Sequence, residues 1–298
     1  MVKLIINNTL GRARSAGFWI MVGLTVIILC IAPVGNMALD KEIPLYRAVF
    51  TLSDKDLLLA GEYMSSYNTV MNIHAYEWFV IISPVIFCFT AIRGLKEALF
   101  GGAYAYTVTR ISKAKYVKIE FVSTIICTIM TVIVGFLIFT LAVYVKFPNL
   151  DRFNIPEEYS VVRRIYGLTG GARMLSYLKM LGNNIMVSIL MAELSVLFLI
   201  CFKDVFYALN IPMLIMYLGT KLLNLHLNLL RKKYGLMYSF RRLIPELFNP
   251  YYLLVSMPED FGRITRLGDI WYFSGFAIVL IILAIMIVQI MNKYDAYQ

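Results

Sequence analysis

One carboxylate in the middle of an apolar run, Glu193 in Leu190-Met-Ala-Glu193-Leu194, is where this 298-residue chain most directly implies chemistry. A charge at such a position is costly unless it faces protein or water or takes up a proton, and acids inside apolar spans tend to be functional. Two roles fit it: a group lining a substrate path or gate, or a structural hydrogen-bonding group. In the second role its partner is a neighbouring helix, or Ser188 or Ser195 on its own helix. The remaining reactive residue types are sparse. The two histidines, His74 and His226, lack metal-ligand spacing. The cysteines Cys30, Cys88, Cys127 and Cys201 stand singly among apolar neighbours, as small core hydrophobes do. No G-x-S-x-G or H-E-x-x-H occurs, and Gly167-Leu-Thr-Gly-Gly171 lacks the lysine of a phosphate-binding loop. The expectation is a chain with no catalytic set, no metal and no cofactor of its own.

The elements that carry Glu193 explain this scarcity. Six apolar runs occupy 15–37, 78–96, 121–145, 180–202, 205–225 and 271–292, and two stretches, Ser15–Leu39 and Phe121–Val145, contain no Asp, Glu, Lys or Arg. Roughly 20 apolar helical residues cross a ~30 Å hydrocarbon layer. The chain is 60% hydrophobic and 15% charged, with a mean hydropathy of +0.74, which excludes disorder and argues against a soluble domain. The expected fold class is an all-α membrane protein: one transmembrane domain over 1–298 with six transmembrane helices. Trp19, Trp78 and Trp271 sit near the ends of runs, where amphipathic rings mark the membrane–water interface. The net charge of +10 is dispersed along the chain, so it reads as membrane topology and not as a nucleic-acid footprint. The first run is too long for a cleaved leader and lacks its small-residue cleavage site.

Six crossings put both termini on one side. Arg12 and Arg14 precede the first run and Asp40 and Glu42 follow it; basic residues close to span ends favour the cytoplasm, so the termini are expected there. The cytoplasmic side then holds the N-terminus, the 97–118 loop, a tight turn at Lys203-Asp204 and the tail. The outer side holds long loops at 38–77, 146–179 and 226–270. Val2, Ile5, Ile6 and Leu10 share one helical face, which predicts an interfacial N-terminal helix that turns into span one at Gly11.

The loop between spans two and three is the most informative polar segment. Gly101-Gly102 breaks the helix leaving span two. Tyr104, Val108 and Ile111 then share one face of a short helical stretch, with Arg110, Lys113 and Val117 on another. The plainer reading is a basic loop that satisfies topology and acidic lipids. With the interfacial helix and six spans, this loop resembles ABC-2-type exporter permeases. The stretch Glu97…Gly101-Gly102…Thr109-Arg110-Ile-Ser-Lys113…Tyr116…Lys118 is similar to that family's cytoplasmic coupling helix between spans two and three. The resemblance implies that Glu97, Tyr106, Thr109, Arg110, Lys113 and Tyr116 couple the chain to a separate ATP-binding cassette subunit. ATP and Mg would then be bound by that partner. It also implies a homodimer of permeases in the cell membrane, surrounded by lipid and moving a hydrophobic or amphipathic cargo such as a peptide outward. Ile244-Pro-Glu-Leu-Phe-Asn-Pro250-Tyr-Tyr-Leu-Leu254 looks like the family's re-entrant segment. The long, basic outer loops depart from the pattern. The alternatives are an intramembrane protease or lipid-modifying enzyme, for which Glu193 lacks polar company, and an ion-coupled secondary transporter, for which Pro33, Pro84 and Pro212 show no repeat.

Overall fold

The computed structural model describes residues 1–36, 41–59, 64–73, 77–101, 107, 110–149, 170–230 and 269–293. Helix α1 (Val2–Ala13) runs without a break at Gly11 and meets α2 (Ala16–Ile31) at a 62° bend. The turn lies at Arg14-Ser15, three residues beyond the expected glycine, because Ser15 supplies the cap. Its hydroxyl accepts from the Phe18 amide at 3.3 Å and donates to the Arg12 carbonyl at 2.6 Å. Helix α2 is shorter than the apolar run that announces it. Pro33 cannot continue a helix and forces Ala32 to an extended ψ of 138°, so the chain leaves at Ile31. It then forms an antiparallel pair, β1 (Pro33–Asn36) with β2 (Lys41–Pro44). Three short helices follow: α3 (Leu45–Thr51), α4 (Asp54–Leu59) and α5 (Ser66–Ile73).

Five long helices complete the molecule: α6 (Glu77–Phe100), α7 (Lys113–Lys146), α8 (Gly170–Phe202), α9 (Val205–Leu230) and α10 (Asp269–Lys293). With α2 they fall on all six apolar runs. Among the described residues, Lys113–Lys146, Arg173–Phe202 and Ser274–Lys293 are long and apolar enough to cross a membrane, and the bent pair α1–α2 would make a fourth if it is one span. Helix α6 carries Arg93, Lys96 and Glu97 in its last turns, and the apolar part of α9 is the shorter Val205–Gly219.

Contacts sort the connections to two ends. At one, which we call the basic end, α1, the end of α6, the start of α7 and the α8–α9 turn meet. There the Tyr116 hydroxyl donates to the Ala98 carbonyl at 3.0 Å and Lys96 approaches Asp204 at 4.0 Å. At the opposite end the Ser66 amide donates to the Pro148 carbonyl at 2.9 Å, Thr140 and Tyr177 hydroxyls lie 3.1 Å apart, and Lys146 approaches Asp54 at 4.0 Å. Two residues close the helices of the basic end. Gly101 ends α6, where a Cβ would lie 2.2 Å from the Glu97 carbonyl oxygen. Lys203, at φ 54°, takes the left-handed conformation between α8 and α9 and donates its amide to the Leu199 carbonyl.

Polarity is distributed inside out. The interior holds Glu120, Ser123, Thr124, Thr128, Thr131, Asn183, Asn184, Ser188, Glu193 and Ser195, while Trp19, Ile27, Leu214, Leu218, Ile281 and Ile285 are exposed. A protein surrounded by water buries its large aliphatic faces; a bundle in lipid turns them outward and packs small and polar residues between helices. The buried hydroxyls make this workable by bonding their own helix. Thr124, Thr128 and Thr131 donate to the carbonyls of Glu120, Thr124 and Cys127 at 2.8, 3.1 and 3.0 Å. Gly135 lets α2 come close: a Cβ there would lie 2.9 Å from the Thr25 methyl.

Candidate functional site

Helix α1 shows the same inversion at small scale. Val2, Ile6 and Leu10 are exposed, while Thr9 is buried and Asn8 and Arg12 turn toward α7. Arg12 donates through Nη2 to Glu120 Oε2 at 2.6 Å and through Nη1 to Thr124 Oγ1 at 2.8 Å. Asn8 Nδ2 donates to Glu120 Oε1 at 2.6 Å. Both carboxylate oxygens are thus engaged, and the Arg12 and Glu120 side chains are only 10% and 5% exposed. Removing two charges from water costs several kcal/mol, and a short pair with extra hydrogen bonds on both partners offsets it. The Arg12 side chain reaches α7 by crossing α6 at Gly94, where a Cβ would lie 2.7 Å from Nε.

This junction forms one wall of a cleft of about 630 Å³ between α1, α2, α6 and α7, a size suited to a small ligand. Phe89, Thr90, Arg93 and Glu97 line its α6 side, with Asn7 and Asn8 across from them. Thr90 is buried and its hydroxyl makes no hydrogen bond among the described residues. Arg93 Nε donates to Glu97 Oε1 at 3.1 Å on the exposed rim.

The residues singled out from the sequence fall into three groups. Glu97 is exposed at the end of α6, and Arg110 and Lys113 stand beside the start of α7. Tyr116 is buried; its hydroxyl bond to Ala98 fixes the angle at which α6 hands over to α7. Tyr106 and Thr109 lie outside the described residues, as do Tyr104, Val108, His74, the 244–254 segment and the side chains of Trp78, His226 and Trp271. Of the 102–109 stretch only Thr107 is described, in helical conformation. Glu193 is buried midway along α8, and its Oε2 has no hydrogen-bond partner among the described residues. The bond on its own helix is not made: Ser188 donates to the Asn184 carbonyl at 2.6 Å, and the Ser195 hydroxyl is also unpaired. No group of three or more His, Cys, Asp or Glu able to hold a metal occurs among the described residues.

From the sequence Arg12 reads as a topological charge, and its pairing with Glu120 is not apparent. A usable signal was present. Glu120, Ser123, Thr124, Cys127, Thr128 and Thr131 recur at helical spacing inside an apolar run, marking a polar face in need of a polar partner. Asn8 and Arg12, one turn apart, are that partner. Comparisons with protein-family models, curated proteins and solved structures find no match for this chain.

Proposed function

We propose that this chain is the permease subunit of an ATP-driven exporter, with all six long helices crossing the cell membrane and both termini in the cytoplasm. The observation that carries the proposal is the convergence at the basic end. The end of α6, the Arg110–Lys118 start of α7 and the docked α1 are joined there by Tyr116–Ala98 and Arg12–Glu120. A partner engaging the 97–118 segment therefore acts on three elements together. Lys3, Arg14, Arg93, Lys96, Lys115, Lys118 and Lys203 also belong to this end, close to helix ends, where basic residues favour the cytoplasmic side.

In this reading a separate ATPase docks through Glu97, Tyr106, Thr109, Arg110 and Lys113, and two copies of the chain enclose the pathway. ATP favours the closed ATPase pair, and that preference biases the helices toward an outward-open arrangement, since a ligand shifts only equilibria it distinguishes. The cargo is hydrophobic or amphipathic, a peptide being the leading class.

The test is co-purification with an ATPase subunit followed by the double charge reversal Arg110→Glu/Lys113→Glu. The expected result is normal membrane insertion with loss of transport-coupled ATP turnover; unchanged coupling overturns the docking assignment. The unpaired Glu193 Oε2 favours a second reading, an ion-coupled transporter. Transport that survives ATP depletion but stops when the proton or sodium gradient is collapsed would select it.

A further inference from the structure

The α6 wall of the cleft presents an ordered series of chemistries along the helix axis. Phe89 is partly buried in the core, Thr90 brings its unpartnered hydroxyl, Arg93 its guanidinium and Glu97 its carboxylate. All four line the same cleft. At 1.5 Å per residue, Thr90 to Arg93 spans about 4.5 Å of axis and Arg93 to Glu97 about 6 Å. The direction is set by the fold, because α6 ends at Phe100 on the basic end, so Glu97 is outermost and Phe89 lies toward the bundle's middle.

A zwitterionic phospholipid in a membrane presents the same series of complementary groups: acyl chain, ester oxygens, phosphate, then ammonium projecting outward. We infer that this cleft holds the headgroup of an amine-bearing phospholipid, with phosphate on Arg93, ammonium on Glu97 and an ester or phosphate oxygen on Thr90.

The charges in the cleft support one occupant over others. Arg12 and Glu120 neutralise one another, and both carboxylate oxygens and both terminal guanidinium nitrogens are engaged, which leaves Arg93 and Glu97 as the charges to meet a ligand. Among the described residues these two bond to each other along the helix, and they are 64% and 68% exposed. Such a solvent-exposed pair contributes little, so a ligand carrying both charges separates it at little cost. A guanidinium grips a phosphate in a two-pronged geometry. An anionic lipid would satisfy Arg93 and set its charge against Glu97. The level is also right: Gly17 approaches Thr90, and Trp19, exposed two residues further on, is an interfacial side chain. The inference needs the bundle to lie in a membrane and needs no ATPase; it takes Glu97 for the lipid and leaves Tyr106, Thr109, Arg110 and Lys113 to dock the ATPase, so each can fail alone.

The test uses the full chain purified in detergent with an equimolar mixture of phosphatidylethanolamine and phosphatidylglycerol, with retained lipid read by native mass spectrometry. The wild-type chain should retain phosphatidylethanolamine preferentially. Arg93→Gln should lower its retention roughly tenfold, the size expected for one charge-assisted contact. Glu97→Gln should abolish the preference while phosphatidylglycerol is kept, and Lys115→Gln, on exposed α7 surface, should change nothing. The lipid assignment is overturned if Arg93→Gln retains as much lipid as wild type or if Glu97→Gln keeps the preference. It is also overturned if Lys115→Gln matches Arg93→Gln, or if water-soluble glycerophosphoethanolamine displaces the lipid at equal concentration, which would make the ligand a free phosphate ester.

Discussion

The two ends of the bundle are held by different physics. The basic end is organised by charge: a short, buried Arg12–Glu120 pair ties α1 to α7, and a polar cleft stands open beside it. The opposite end is organised by packing. Phe79, Phe87 and Phe136 form an aromatic triad with centroids 5.8–6.3 Å apart, and Leu45, Leu57 and Val70 from the short helices, with Met64 just before α5, close over the core that contains it. Its ion pair, Lys146–Asp54, is long and largely exposed. A packed end resists change through many small contacts; a paired-charge end depends on a few groups and fails when one is lost.

The sharpest way to break this comparison is at Glu120. Glu120→Leu strands the buried Arg12 guanidinium and should lower stability by about 3–5 kcal/mol, whereas Arg12→Met/Glu120→Leu should lie close to wild type. Thermal unfolding in detergent measures both. A double variant as unstable as the sum of the singles would mean that the two charges do not act as one unit.

The packed end should respond to volume. Phe136→Ala should cost about 3 kcal/mol, the low end for a buried phenylalanine, because Phe79 and Phe87 can relax toward the gap. Phe136 and Glu120 are sixteen residues apart on one helix, about 24 Å, so their effects should add. Strong coupling between the two variants would contradict the separation of the ends.

How much of this was legible beforehand differs between the two ends for the same reasons. Helices α7, α8 and α10 announce themselves because ~20 apolar residues in a row admit few other folds, and Glu193 could be placed inside one. Boundaries were less visible. Pro33 ends α2 early, and α7 begins at Lys113, eight residues before its apolar run, because helix persists into water once capped by tertiary contacts such as Tyr116–Ala98. The strand pair at 33–44 left no alternating pattern strong enough to read. The Arg12–Glu120 junction was invisible as a pair because 108 residues separate its members and only the antiparallel return of α7 brings them together.

Gly94 sharpens the comparison at lower magnitude. A methyl group there meets Arg12 Nε at 2.7 Å, so Gly94→Ala should displace the guanidinium and cost about 1–3 kcal/mol. The cost should shrink in the Arg12→Met/Glu120→Leu background, where the side chain crossing the glycine is no longer anchored by a guanidinium. A penalty of equal size in both backgrounds would locate the strain in α6 itself and remove Gly94 from the charge network.

The smallest effect belongs to Asp56, an exposed carboxylate at the packed end. Asp56 accepts from the Ser53 amide at 2.9 Å and from the Ser53 hydroxyl at 2.6 Å, while Ser53 Oγ accepts from the Asp56 amide at 3.3 Å, a reciprocal cap on α4. Both bonds to Ser53 favour the carboxylate and hold its pKa below the usual aspartate value. The folded value is the lower one, so the contribution is present above the unfolded pKa of about 3.9 and is lost as pH falls through the folded value. Asp56 is fully exposed, so the effect is confined to α4. Amide exchange at Leu57 and Leu58, corrected for its intrinsic pH dependence, should show weaker protection at pH 3 than at pH 6, and Asp56→Asn should flatten the difference. Equal protection at both pH values would show that Leu57 in the core, and not the Ser53–Asp56 cap, holds α4; an unchanged difference in Asp56→Asn would place the titrating group elsewhere.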